Sequence, residues 1–238
     1  IKREVASYVR GLAVAAKAAG RELARLSTEL KNEALMKMGT IHAALGDDKA
    51  ALETYERLIG KYPESDYAAD ARFQILMTLY GQGKYLELIE RAEDFLSHEV
   101  STLHILRTQL LLGDTYMAIG VPADAVYWYA TAFSKLREPE KKETLEKIKS
   151  AVKQLSSNEI LFILDRTEDK QTAGYLIYQW GVNSVEEKKY DEALKMNLSS
   201  VELARQHGTL IQLAACLGNV ANSYLLMERY ENAIDYFL

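Results

Sequence analysis

LLGDTYMAIGVPADAVYWYATAF, residues 111–133, holds a Leu-Gly pair, a tyrosine three residues on, a second glycine, then alanine and an aromatic at fixed offsets. Apolar residues at helical spacing on either side of a glycine turn read as two short helices folded back on each other. Counted from Gly113, the marks fall at Tyr116, Gly120, Ala125 and Tyr129. The same ruler lands on Gly39, His42, Gly46, Ala51 and Tyr55, with Pro63 ending the unit, and again on Gly181, Ser184, Lys188, Ala193 and Asn197. A pattern that recurs in this way marks a tandem array, in which each unit buries its apolar face on its neighbours.

These residues resemble the tetratricopeptide repeat (TPR) family, whose unit is a helix-turn-helix of roughly 34 residues. The resemblance implies an all-α, right-handed helical-pair solenoid (superhelix) that binds partners and does not catalyse. On this reading residues 1–238 form a single array: a degenerate or cap pair at 1–30, repeats at 31–64, 65–98 and 99–137, a degenerate pair at 138–168, a repeat at 169–208 and a truncated last repeat at 209–238.

Along the chain, Val5, Val9, Leu12 and Ala16 make one stripe and Leu23, Leu26 and Leu30 another, parted near Gly20. In the first clear unit a bare Gly39 is expected to let Ala51 approach closely, with Tyr55 filling the space between units. The second unit has Leu76 and Leu88 where glycine and alanine stood, so its helices are expected to lie farther apart. Pro122 suits a first helical turn. Between Gly113 and Gly181 a repeat signature is missing, yet Leu145, Ile148, Val152 and Leu155 keep helical spacing, and Ser156 with Glu159 forms a capping-box pattern before Ile160. The last unit stops early in its second helix, so the chain is expected to belong to a longer protein.

Some segments resemble narrower groups. YPESDYAADA, residues 62–71, is similar to the repeats of bacterial envelope-assembly lipoproteins; residues 138–193 are similar to the N-terminal region of penicillin-binding-protein activators; and the last unit resembles the repeats of kinesin light chains and bacterial TPR sensors. These likenesses favour a bacterial protein of the cell envelope or periplasm over a cytoplasmic one.

Composition sets limits. Hydrophobic residues make up 48% and charged residues 26%, with only 3 Pro, which suits an ordered helical chain. The net charge of -5 comes from intermixed signs, with no basic block to follow a phosphate backbone, so nucleic acid is not an expected partner. No apolar run reaches the roughly 18 residues that span a bilayer. The single cysteine, Cys216, excludes an internal disulfide and sits among Leu213, Ala214 and Leu217, which reads as a buried thiol. His42, His98, His104 and His207 show no metal-ligand spacing, and Gly81-Gln82-Gly83-Lys84 is followed by tyrosine rather than the Ser or Thr of a phosphate loop. No cofactor, metal or catalytic set is expected.

The resemblance also implies a partner groove lined by the first helix of each pair, at positions three before, one after and four after the marker glycine. These are Met36, Thr40 and Ala43; Phe73, Met77 and Tyr80; Leu110, Asp114 and Met117; and Tyr178, Val182 and Val185. Methionine and aromatics suit an adaptable apolar surface for a peptide or helix of a partner protein. Packing between neighbouring first helices is the other role open to them. The expected function is a protein-protein interaction scaffold, with a regulatory or sensory domain of a larger signalling protein as the alternative.

Overall fold

The computed structural model describes residues 27–98, 101–207 and 210–237. The expected N-terminal cap pair lies outside the described residues apart from its final few. Among the described residues there are twelve helices and no strand, and the chain divides into two compact units, 1–99 and 100–238.

In the first unit α1 (Thr28–Ala44) pairs with α2 (Asp48–Lys61), and α3 (Asp66–Gly81) with α4 (Tyr85–His98). Local chemistry starts the first three of these helices. Ser27 Oγ accepts from Leu30 N at 3.3 Å, Asp47 Oδ1 from Ala50 N at 3.1 Å, and Ser65 Oγ from Tyr67 N at 3.2 Å. Each oxygen satisfies one of the amides that a helix start leaves without a partner. Pro63 stands just past the C-cap Tyr62 of α2, where its missing N–H costs no helical bond. The core is Ala51, Tyr55 and Leu58 of α2, then Ala71, Ile75, Leu76 and Leu79 of α3 with Leu88, Ala92 and Phe95 of α4, all buried.

The second unit runs α5 (Thr102–Ala118), α6 (Pro122–Phe133), α7 (Glu140–Val152), α8 (Ser157–Leu164), α9 (Lys170–Glu186), α10 (Tyr190–His207), α11 (Leu210–Leu226) and α12 (Tyr230–Phe237). Pro122 is the first residue of α6, and Ser156 with Glu159 makes the full reciprocal capping box at α8. One apolar cluster joins Tyr129 and Phe133 of α6, Ile148 and Val152 of α7, Ile160 and Ile163 of α8, and Leu176 of α9. A second joins Val201 of α10 to Cys216 and Val220 of α11. The pair without a signature behaves differently from the rest: α7 and α8 pack on α6 and α9 more closely than on each other. Lys147 stands midway between Gly113 and Gly181, where the marker glycine would be, and α8 is only 8 residues long.

The turns share one backbone device. Seven residues after Gly39, Leu76, Gly113 and Gly181 the chain adopts positive φ, 75° at Gly46, 69° at Gly83, 75° at Gly120 and 60° at Lys188, and it does so again in the last turn, 58° at Glu228. Glycine enters this left-handed region freely, whereas a side chain there costs about 1–2 kcal/mol. Lys188→Gly and Glu228→Gly should therefore each stabilise the chain, by about 0.5–1 kcal/mol after the extra entropy glycine loses on folding. Urea denaturation checks this. A lower midpoint for both variants would show that their side chains, not the turn, dominate.

Candidate functional site

The marker glycines define how each pair closes. A Cβ built on Gly39 would lie 2.6 Å from Tyr55 Cδ1 and 2.8 Å from its Cζ, and one on Gly113 would lie 2.8 Å from Tyr129 Cζ, with other ring carbons closer still. The ring of the tyrosine sixteen residues on occupies the space a side chain at the marker would need. The expectation gave Ala51 as the close neighbour and placed Tyr55 between units; the atoms nearest a Cβ on Gly39 are those of the Tyr55 ring of the same pair. Alanine at 51 is buried beside it, but the glycine exists for the ring.

The offset explains the second unit's departure. Sixteen residues after Leu76 stands Ala92, and both are buried. The large group has moved from the second helix to the first, so volume is kept while the partners exchange sizes. The backbones of α3 and α4 approach less closely than those of α1 and α2, as a leucine between them demands. At Gly181 the place of the ring is taken by Asn197, whose Cγ would be 2.7 Å from a Cβ there. Its Nδ2 donates to Ser223 Oγ at 2.9 Å, so this position ties α10 to α11 through a buried hydrogen bond.

The two tyrosine hydroxyls reach the residue after each marker. Tyr55 donates to Thr40 Oγ1 at 3.5 Å, and Tyr129 donates to Asp114 Oδ1 at 2.6 Å. Lys147 Nζ adds two contacts to the same carboxylate, 2.8 Å to Oδ1 and 3.0 Å to Oδ2, and so links α7 to α5. The pair is about one-third exposed, so its worth is that of a modest surface ion pair reinforced by a neutral donor.

The candidate groove residues consequently have different surroundings. Leu110 and Met117 pack against the α6–α9 cluster, Tyr178 against the α10–α11 cluster, and Asp114 is held by Tyr129 and Lys147. Thr40 takes the Tyr55 hydroxyl yet remains exposed, and Met36 and Val182 are half-buried. On α3, Phe73 and Tyr80 are half-buried while Met77 is 44% exposed. Met77 occupies the place of Thr40 and Asp114. Because Ala92 stands where the others have tyrosine, no phenol reaches it. Tyr80 stacks edge-on against Tyr85 at 5.7 Å between centroids, which fixes the ring beside this face.

Reading from the sequence marked Tyr129 and Asn197 as repeat positions but missed Lys147, the bond from Tyr129 to Asp114 and the bond from Asn197 to Ser223. The recurring fifteen-residue spacing of Thr40 to Tyr55 and Asp114 to Tyr129 was the available signal for the tyrosine, whereas Lys147 lies thirty-three residues from Asp114, outside that spacing. Cys216 is buried, and burial raises its thiol pKa against the opposing hydrogen bond from Ser200. Among the described residues no group of three or more His, Cys, Asp or Glu could hold a metal ion, and no helix is long and apolar enough to cross a membrane.

Residues 33–65 match the tetratricopeptide repeat family model. No curated protein matches the sequence. Among solved structures the chain is similar to a tetratricopeptide repeat protein from Parabacteroides merdae, at 16% identity over 86% of this chain and 77% of that one, with a TM-score of 0.41. It is also similar to the TPR2AB domain of yeast Sti1 in its pHSP90 complex, at 10% identity over 87% and 88% of the two chains and a TM-score of 0.45. A third is the MamA protein, at 12% identity over 87% of each chain and a TM-score of 0.34. Residues 33–65 thus carry a tetratricopeptide repeat, and the pair at Gly113 repeats its glycine-to-tyrosine contact.

Proposed function

We propose that the chain is a protein-protein interaction scaffold, and that it binds a peptide or helix of a partner protein on the α3 face formed by Phe73, Met77 and Tyr80. The observation that carries this reading is Met77, a large apolar side chain left 44% exposed between two aromatics at helical spacing. Positions 73, 77 and 80 fall on one side of a 3.6-residue helix, so a partner's apolar side chain can cover all three together. Methionine's unbranched, polarisable chain adapts to such an anchor.

The test begins with affinity capture and mass spectrometry to identify a partner, followed by titration of purified variants. Phe73→Ala, Met77→Ala and Tyr80→Ala should each weaken binding, with about 1–3 kcal/mol lost for the strongest. Moderate salt should have little effect, since it screens exposed charges and leaves apolar burial nearly untouched. Folded variants that bind normally, or binding that collapses with salt, would place the partner elsewhere.

A further inference from the structure

Polar side chains run through the interface where α11 packs on α10. Asn197 and Ser200 of α10 and Ser223 of α11 are each at most 1% exposed. They share the interface with Val201, Cys216 and Val220, and with the half-buried Tyr178 and Tyr224 at the edge of that apolar cluster. Stacked repeats hold one another by burying a continuous core, and here polar atoms interrupt it.

Both serines bond within their own helix. Ser200 Oγ donates to Asn197 O at 2.7 Å inside α10, and Ser223 Oγ donates to Asn219 O at 3.0 Å inside α11. A hydroxyl has one proton, so neither keeps a donor for the other helix. The Asn197 amide crosses instead, its Nδ2 donating to Ser223 Oγ at 2.9 Å and more loosely to Asn219 O at 3.4 Å. The Cys216 thiol adds a contact with Ser200, and a thiol is a weak hydrogen-bonding group. Asn197 Oδ1 and Asn219 Nδ2 are buried with no hydrogen-bond partner among the described residues, and such atoms are destabilising until water reaches them.

We propose that the α10–α11 interface is a built-in point of opening, along which α11 and α12 separate from α9 and α10 as one unit while the helices before them stay folded. Separation exposes Val201, Cys216 and Val220 and breaks the bonds of one amide. It leaves both serine hydroxyls satisfied and lets water reach the two unpartnered atoms. The departing pair keeps its own contacts: Ala221 and Ala233 are at most 1% exposed, and Tyr224 lies against Tyr236 with 5.7 Å between ring centroids. Openings of this kind lie below the free energy of complete unfolding.

Cys216 is the single thiol of the chain and is 5% exposed, so its labelling reports the opening. The full chain is treated with a thiol reagent at fixed pH over a series of urea concentrations below the unfolding transition, and unfolding of the chain is followed by circular dichroism. Labelling should outpace global unfolding and should depend on urea, with a slope well below the global one, because two helices expose only a fraction of the surface. Ser223→Ala removes the acceptor of Asn197 Nδ2 and should speed labelling about fivefold or more. Asn219→Leu replaces an unpartnered amide with an apolar group and should slow it by a similar factor, and if it perturbs α11 the opposite effect of Ser223→Ala keeps the test decisive. A urea slope equal to that of global unfolding, no slope at all, or a rate that neither variant shifts in the stated direction would overturn the proposal.

Discussion

Gly113→Ala lowers the stability of this protein, whereas Gly218→Ala raises it. Helix propensity alone favours alanine over glycine inside a helix by about 1 kcal/mol at either site. Gly218 of α11 is free to show that gain, because a Cβ there would have nothing within 4 Å. At Gly113 the same Cβ enters the Tyr129 ring, 2.8 Å from Cζ. The ring is fully enclosed and its hydroxyl is held by Asp114, so it has no room to give way. Overpacking of this kind costs about 1–3 kcal/mol, enough to reverse the propensity gain, and Gly113→Leu should lie at or beyond the upper end. The sign is the test. In a Tyr129→Ala background, itself destabilised by about 3–5 kcal/mol, Gly113→Ala should become stabilising. Equal midpoints for Gly113→Ala and the parent in both backgrounds would show that the ring does not need the glycine.

The second large effect concerns the exchange of sizes at Leu76 and Ala92. Ala92→Tyr alone drives a ring against a buried leucine and should cost about 3 kcal/mol or more. Leu76→Gly alone leaves a void and a mid-helix glycine, at about 2–5 kcal/mol for the void and about 1 for the glycine. Together they rebuild the arrangement seen at Gly39 and Tyr55, so the double variant should recover most of the loss. The introduced phenol finds no hydroxyl acceptor at Met77, and adding Met77→Thr supplies the group that Thr40 offers in the first pair. Additive losses in the double variant, measured by urea denaturation, would mean that the two positions do not share one contact.

Function and stability meet at this exchange. In the pairs closed by tyrosine, the residue after the marker is engaged by its hydroxyl, as Thr40 and Asp114 are. In the pair closed by leucine and alanine the corresponding Met77 is left to solvent, and the proposed partner face lies there. The triple variant therefore also removes the methionine anchor, and its binding should fall with that of Met77→Ala.

The sequence by itself determined the helices, their order and most of their ends. Serine and aspartate caps, Pro122 at a first turn, the box of Ser156 with Glu159 and the turn glycines act through bonds within a few residues, so they are legible without a fold. The stripe of Ile148, Val152 and Leu155 survived the loss of the repeat signature because helical periodicity depends on the chain's own geometry. Only the tertiary structure decided which side chain covers Gly39, that Lys147 reaches Asp114, that α7 and α8 lean on their neighbours, and that Asn197 bonds to Ser223. Those contacts join residues sixteen to thirty-three positions apart across helix interfaces. Their partners are set by how far apart two helices settle and how they are turned about their axes. Side-chain volumes summed over the whole interface fix that geometry, and no local spacing reveals it.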